Sequence, residues 1–182
     1  MKPPPRALSL DLDDTLWPVW PSIERAERAL DAFLQQHCPR TAQRYPIHRM
    51  RQLREVIAAR HPQYLHDFSH QRVLSLRHAL EESGDDVAHA EPAYEAFFAT
   101  RNQVDFYPDA LAALARLSAR LPLAALTNGN ADLARIGIQE HFQVFVSARD
   151  HGQAKPETPI FHATCERLGV APADVLHIGD DP

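Results

Sequence analysis

The distribution of strand patterns along the chain constrains its fold more than any other feature. Residues 7–10 form one short apolar segment that predicts a buried strand, and residues 17–105 contain helical patterns but no convincing strand. From residue 106 onward, short apolar segments alternate with helical patterns. Alternation of this kind is typical of a parallel sheet that has helices on both faces. The first strand of that sheet is therefore separated from the others by a long helical insert.

The helical insert is best explained as a separate domain. Strand-to-helix connections in α/β folds usually span about 2–6 residues, and this insert is far longer. We predict an α/β fold with a Rossmann-like parallel sheet core, formed by residues 1–16 and 106–182, and an α-helical cap domain at residues 17–105. The cap is expected above the carboxyl ends of the strands, because open parallel sheets bind their ligands there.

Apolar spacing and helix breakers give the individual elements. The cap is predicted to contain helices at about residues 22–34, 47–60, 68–82 and 87–101. The core is predicted to contain helices at about residues 109–120, 131–137 and 158–168, and strands at 7–10, 121–126, 144–146 and 175–178. The last strand, like the first, is expected to be buried. Gly84, Gly137 and Gly169 are expected to end their helices in the left-handed conformation.

The composition favours a globular protein and argues against several classes of partner. The 182 residues carry a formal net charge of −5, and 45% of them are hydrophobic, which is enough apolar material for one solid core. The mild acidity argues against nucleic acid as a partner. No apolar run reaches the roughly 18–20 residues of a membrane span, and the N-terminus lacks a secretory signal pattern. We therefore expect no membrane partner and a cytoplasmic location.

Three carboxylates crowd the loop that follows the first strand. Asp11, Asp13 and Asp14 fall within four consecutive positions, where their negative charges repel one another. Such crowding is tolerable if a cation lies among them or if one of them stays protonated. A polar turn explains this segment equally well when it is taken alone, because aspartate is common in turns.

A second polar segment, formed by Thr127, Asn128 and Gly129, follows the strand predicted at 121–126. Thr127 and Asn128 offer side-chain donors, and glycine lets a backbone N–H approach an oxyanion closely. All three residue types are also ordinary at the start of a helix. Taken alone, this segment is better explained as a helix cap.

Two further segments add a lysine and a pair of acids. Lys155 precedes Pro156, which suits the start of a helix, so the lysine could point toward the same edge of the sheet. Asp180 and Asp181 follow the strand predicted at 175–178 and suggest a site for a hard cation. Taken alone, an exposed lysine and a polar turn are the ordinary explanations.

In combination, the four segments resemble the signature of the haloacid dehalogenase superfamily. That signature is DxDxT after the first strand, then a Thr or Ser at a strand end, a Lys commonly followed by Pro, and GD or GDD after a later strand. This chain has its matching residues in that order, namely Asp11, Asp13 and Thr15, then Thr127, Lys155, Asp180 and Asp181. A helical insert after the first motif looks like the type-1 cap of that superfamily.

The resemblance implies a catalytic role for three residues. Asp11 would be the nucleophile and would form an aspartyl-phosphate. Asp13 would protonate the leaving oxygen and then activate water. Lys155 would offset the negative charge around Asp11.

The resemblance also implies a set of binding residues. The Mg²⁺ cofactor would be held by Asp11, the backbone carbonyl of Asp13 and Asp180, with Asp181 supporting the metal site. The phosphoryl oxygens would be bound by Thr127, Asn128 and the backbone amides near Asp14 and Gly129. Catalysis would then consist largely of positioning and charge stabilisation.

The resemblance therefore predicts a magnesium-dependent phosphatase that acts on a small phosphomonoester. An acid at position 13 favours phosphate esters over carbon–halogen bonds, because the haloacid dehalogenases themselves lack it and a halide leaves without a proton. The strings LTNGNADL, HGQAKP and LHIGDDP are similar to a branch that includes flavin mononucleotide phosphatases.

Three alternatives stay open. The chain stops at Pro182, directly after the fourth motif, where relatives continue. It could therefore be a catalytically impaired fragment or a binding module that keeps the fold. A phosphosugar mutase or a haloacid dehalogenase of the same superfamily would also carry most of this signature.

Overall fold

A four-stranded parallel sheet organises the α/β part of the computed structural model, which describes residues 3–180. The strands are β1 Ala7–Leu10, β2 Leu123–Thr127, β3 Val144–Ser147 and β4 Val175–Ile178. Their order in the sheet is β3-β2-β1-β4. Leu10 of β1 is paired with Ala125 on one side and with Ile178 on the other. The predicted parallel sheet is confirmed.

The direction in which the sheet grows reverses at β1. The chain adds β2 and β3 on one side of β1, and β4 lies on the other side. In open α/β sheets, ligands bind outside the carboxyl ends of the strands at such a reversal. Asp11 follows β1 and Gly179 follows β4. The first and the last of the four polar segments therefore meet at this point.

Nine α-helices surround the sheet or form the insert within the described part of the chain. They are α1 Val19–His37, α2 Pro39–Arg44, α3 Ile47–Arg60, α4 Phe68–Ser83, α5 Ala90–Arg101, α6 Ala110–Ser118, α7 Leu133–Ile136, α8 Ala148–His151 and α9 Thr158–Leu168. The side chain of Asp67 caps α4 by accepting the His70 N–H at 2.9 Å, and Gly84 ends it at a φ of 74°. The predicted left-handed cap at Gly84 is therefore present.

The chain divides into two compact units. One unit consists of the chain up to Val19 together with the chain from Val104, and the other is Trp20–Gln103. The sequence placed the corresponding boundaries after residues 16 and 105. Whether the helical unit serves as a cap over the site stays a prediction.

Each unit has an apolar core of its own. In the α/β unit, β2 contributes Leu123 and Ala125 to one core cluster and Ala124 and Leu126 to the other. Because successive residues of a strand point to opposite faces, both faces of the sheet are covered. The helical unit packs a third cluster, centred on Leu30, Leu53, Leu76, Leu80 and Phe97.

The expectation that the last strand is buried was wrong. Leu176 is 51% exposed and Ile178 is 37% exposed. Among the strands that the structure describes, β4 stands at the end of the order and pairs only with β1. An end strand keeps the hydrogen bonds of one side and loses the packing of the other.

No helix within residues 3–180 is both long and apolar enough to cross a membrane.

Candidate active site

The first polar segment is joined to the third by an ion pair. The Asp11 N–H donates to the Ile178 carbonyl at 2.8 Å and so extends the pairing of β1 with β4. Asp11 Oδ1 accepts the Leu12 N–H at 2.8 Å. Lys155 Nζ lies 2.5 Å from Asp11 Oδ2, and the two side chains are only 11% and 13% exposed. The two residues that the resemblance paired are therefore in direct contact.

Asn128 holds the backbone that carries this lysine. Its amide Nδ2 donates to the Lys155 carbonyl at 3.0 Å, and its Oδ1 accepts the Lys155 N–H at 2.7 Å. This two-point contact joins the second polar segment to the third. Asn128 thus positions Lys155 through its backbone. Nothing in the sequence pattern indicated this contact.

The helix near this lysine, α9, begins at Thr158 as predicted, but Pro159 and not Pro156 lies in its first turn. The Lys155–Pro156 peptide bond is cis. Proline is well suited to a first turn because the first helical N–H groups have no intrahelical acceptor.

The carboxylate of Asp13 lies between Trp17 and the backbone of Gly129. Its Oδ1 accepts the Trp17 indole N–H at 2.9 Å. A Cβ added to Gly129 would lie only 2.4 Å from Asp13 Oδ2, so the carboxylate occupies the space that a side chain at 129 would need. A side chain at position 129 would therefore displace the Asp13 carboxylate, and the first segment meets the second here.

Trp17 belongs to the core of the α/β unit. Its side chain is fully buried and packs edge-on against Phe106, with 5.5 Å between the ring centroids. The sequence assigned position 17 to the cap, so its contact with Asp13 was missed. The only signal in the sequence was its place four residues after Asp13.

The backbone amides that were expected to hold phosphate make other hydrogen bonds. The Gly129 N–H donates to the hydroxyl of buried Thr127 at 2.9 Å. The Asp14 N–H donates to the Trp17 carbonyl at 2.8 Å, and Asp14 adopts a φ of 57°. Asp14 Oδ1 also accepts the Val19 N–H at 2.9 Å. In this structure, both amide hydrogens therefore point to acceptors within the protein.

The donor set fits a hard divalent cation. Asp180 is exposed, and a Cβ added to the preceding Gly179 would lie 3.4 Å from Asp11 Cβ, so the chain segments carrying Asp11 and Asp180 run side by side. Residues 3–180 contain no cluster of three His, Cys, Asp or Glu side chains. The predicted site needs no such cluster, because two carboxylates, one carbonyl and water are a usual shell for Mg²⁺. Asp181 lies outside the described residues.

His177 was also missed in the sequence. Its Nδ1 lies 2.8 Å from the Ser9 hydroxyl on the paired strand. Burial lowers the pKa of His177, and the charge of Lys155 lowers it further, while Asp11 opposes the shift. The signal available in the sequence was its place on β4, two residues before Gly179. Residues two apart along an extended chain point to the same face, so His177 could be expected on the face from which Gly179 approaches Asp11.

The parallel sheet thus carries a strand-end carboxylate, a lysine in contact with it and a second carboxylate in the same loop. Residues 5–182 match the profile of the haloacid dehalogenase-like hydrolases. The chain belongs to this family, and the predicted superfamily and hydrolase class are confirmed.

Individual relatives include both phosphatases and dehalogenases. The 5-amino-6-(5-phospho-D-ribitylamino)uracil phosphatase YigB of Escherichia coli K12 is 31% identical over 179 residues, or 96% of this chain and 75% of that protein. A phosphoserine phosphatase of Thermus thermophilus is 38% identical over 58% of this chain and 45% of its own length. The crystal structure of a 2-haloacid dehalogenase from Pseudomonas syringae pv. tomato DC3000 superposes with a TM-score of 0.90 at 32% identity, over 97% of this chain and 78% of that one.

Proposed function

We propose that this chain is a magnesium-dependent phosphatase that hydrolyses a small phosphomonoester through an aspartyl-phosphate on Asp11. The observation that carries the proposal is the contact of 2.5 Å between Lys155 Nζ and Asp11 Oδ2 in a mostly buried pair. A carboxylate held beside a cation is suited to attack an anionic substrate, because the cation reduces charge repulsion. The relatives named as phosphatases support the same reaction class.

The two carboxylates divide the chemistry between them. An oxygen of Asp11 attacks phosphorus while the bond from phosphorus to the leaving oxygen breaks. Asp13 gives its proton to that oxygen, so an alcohol departs. Asp13 then takes a proton from water, whose oxygen attacks phosphorus and releases inorganic phosphate from Asp11. Lys155 offsets the charge on the phosphoryl oxygens throughout.

Three further groups bind the phosphoryl group or position the residues that do. Mg²⁺, held by Asp11, the Asp13 carbonyl and Asp180, supplies charge neutralisation and orientation when it is bound. The Thr127 hydroxyl accepts a hydrogen bond from the Gly129 N–H and has its own hydrogen to donate to a phosphoryl oxygen. Asn128 contributes by holding the Lys155 backbone.

Hydrolysis of a 2-haloacid is the second candidate, favoured by the TM-score of 0.90 to the Pseudomonas syringae dehalogenase. Asp13 argues against it, because an alkoxide leaving group needs a proton and a halide does not. The contact of Asp13 with Trp17 at 2.9 Å keeps this carboxylate in the loop next to Asp11. Phosphate esters therefore remain the preferred substrates.

Product release distinguishes the two reactions. The purified protein is supplied with Mg²⁺ and a panel of phosphomonoesters that includes flavin mononucleotide, nucleotides, sugar phosphates and an aryl phosphate, and in parallel with 2-chloropropionate. We expect release of inorganic phosphate and no chloride. Mass spectrometry after an acid quench should find a phosphoryl group on the peptide that contains Asp11.

Two matched variants complete the test. Asp11→Asn should abolish both turnover and phosphoenzyme, whereas Asp109→Asn, which alters an exposed acid at the start of α6, should change neither. Release of chloride would support the dehalogenase instead, and an isomerised sugar phosphate would support the mutase. A folded wild-type chain with no product at all would contradict enzymatic function of the 182-residue chain.

A further inference from the structure

We propose that Trp17 is a positioning residue that presents one particular oxygen of Asp13, Oδ2, to the leaving group of the substrate. The inference rests on the proposed function, since it takes Asp13 as the general acid. It adds a residue that lies outside the four polar segments and assigns separate tasks to the two oxygens of one carboxylate.

The hydrogen bond from Trp17 identifies the oxygen that does not carry the proton. The indole N–H can only donate, so Asp13 Oδ1, at 2.9 Å, must accept. In a protonated carboxyl group, the carbonyl-type oxygen is the better acceptor and the other oxygen carries the hydrogen. The acidic hydrogen of Asp13 is therefore directed to Oδ2.

The position of Oδ2 is restricted from the other side. A Cβ at position 129 would be 2.4 Å from Asp13 Oδ2, so this oxygen lies against the backbone of Gly129 at the end of β2. Asp11 stands at the end of the adjacent strand β1. Except for a half-turn, which only exchanges the two oxygens, rotation of the carboxylate about its Cβ–Cγ bond would break the indole hydrogen bond. The two contacts together therefore select one orientation of the carboxylate plane.

The indole itself cannot shift easily. Trp17 is fully buried and packs edge-on against Phe106. Its carbonyl accepts the Asp14 N–H at 2.8 Å, and the neighbouring Leu16 carbonyl accepts the Tyr107 N–H at 2.9 Å. A donor held by both its ring and its backbone orients its acceptor without a further loss of conformational entropy during the reaction.

In the first step, formation of the phosphoenzyme, the orientation matters only when the leaving group needs a proton. As the bond between phosphorus and the leaving oxygen breaks, the electron pair stays on that oxygen and the hydrogen on Asp13 Oδ2 moves to it. An alkoxide depends on this transfer, whereas a nitrophenolate is stable as an anion. Loss of the indole N–H should therefore penalise alkyl phosphates more than aryl phosphates.

Trp17→Phe tests the inference, because it keeps an aromatic ring and removes the donor. We expect kcat/KM for an alkyl phosphate, which reports the formation of the phosphoenzyme, to fall about 10- to 100-fold while kcat/KM for 4-nitrophenyl phosphate stays within about threefold. Trp20→Phe is the matched control, since Trp20 is 52% exposed and belongs to the helical unit. It should leave the ratio of the two kcat/KM values as in the wild type.

The test separates the inference from the function on which it rests. If the wild type releases no phosphate from either ester, the proposed function fails. If the wild type is active and Trp17→Phe lowers both kcat/KM values equally, or neither, the positioning role is overturned. In an Asp13→Asn background, Trp17→Phe should cause no further loss; an additional loss would also contradict the role.

A second variant covers the case in which Trp17→Phe does not fold. In the Trp20→Phe background, the remaining tryptophan can be replaced biosynthetically by benzothienylalanine, which exchanges the indole N–H for sulfur at nearly constant shape. The same selective loss on the alkyl phosphate is expected, and an unchanged ratio of the kcat/KM values would refute the proposal.

Discussion

At the residue scale, the closeness of Gly129 to Asp13 means that adding a single methyl group at position 129 tests the orientation of the Asp13 carboxylate. Gly129→Ala would place a Cβ 2.4 Å from Asp13 Oδ2 and 3.3 Å from the Thr127 hydroxyl oxygen. The carboxylate must rotate away, so we expect kcat for an alkyl phosphate to fall up to about 10²-fold. Steady-state kinetics measure the loss, and combining the change with Asp13→Asn should add little. An unchanged kcat would show that the orientation of Asp13 is not critical.

His177 provides a stability prediction with a defined sign. Because burial lowers its pKa in the folded state, the unfolded chain binds the proton more readily. Its contribution to stability is complete above the unfolded pKa of about 6.5 and is lost as the pH falls through the lower folded value. We expect His177→Gln to flatten the decline in the free energy of unfolding below about pH 6.5.

Urea unfolding at a series of pH values measures this effect. His162→Gln is the control, because this histidine is exposed on the neighbouring helix α9. If the free energy of unfolding falls with pH as steeply in both variants as in the wild type, the lowered pKa of His177 does not contribute to acid unfolding.

For individual residues, the sequence indicated which side chains converge on the site better than it indicated the contacts that position them. The contact between Lys155 and Asp11 agrees with the expectation that strand-end segments converge, which follows from the direction of parallel strands. The role of Asn128 in holding the Lys155 backbone and the donor role of Trp17 depend on loop conformations, and residue types alone do not determine these.

Helix α4 carries a buried arginine that should lower the stability of the helical unit. Arg72 is 8% exposed, and its guanidinium lies 3.5 Å from the centroid of the Phe97 ring. Burial, followed by the charge of Arg54, lowers the pKa of Arg72 to about 9, although Glu27 opposes the shift. Arg72 stays cationic at neutral pH, and burial of this charge costs free energy relative to the unfolded chain.

We predict that Arg72→Met raises the free energy of unfolding at pH 7 by about 1–4 kcal/mol. Urea titration measures it, and Arg77→Met on the same helix, whose side chain is 53% exposed, should change stability by about 0.5 kcal/mol or less. Because the pKa of Arg72 is lowered, the gain should shrink as the pH rises above about 9. A destabilised Arg72→Met variant would show that the cation–π contact outweighs desolvation.

Elements were predictable where the periodicity was long. The predicted helix at 47–60 coincides with α3 Ile47–Arg60, and the strand at 7–10 coincides with β1. The short helices α2 Pro39–Arg44 and α8 Ala148–His151 were not predicted, since one turn or two leave too few residues for a periodic pattern. Exposure of β4 was missed because its composition resembles that of a buried strand.

For the whole molecule, the separate cores predict that destabilisation will be local. Leu80 in the helical unit and Leu126 in the α/β unit are both fully buried. Each Leu→Ala change should cost about 2–5 kcal/mol through lost burial and a cavity. Hydrogen exchange should show that Leu80→Ala speeds amide exchange mainly within residues 20–103 and that Leu126→Ala speeds it mainly outside them.

This pair of variants serves as its own control, because the substitution and the burial are the same in both units. Equal acceleration of exchange across the whole chain for either variant would contradict the prediction and would indicate a single cooperative unfolding unit.

The pairing of β1 with β4 determines when the sheet can be completed during translation. The strand at Ala7–Leu10 leaves the ribosome long before its neighbour at Val175–Ile178 is translated. A nascent chain can join β1 to β2 well before then, but the hydrogen bond from the Asp11 N–H to the Ile178 carbonyl must wait. The carboxylate that we propose as the nucleophile is thus synthesised long before the strand that completes its surroundings.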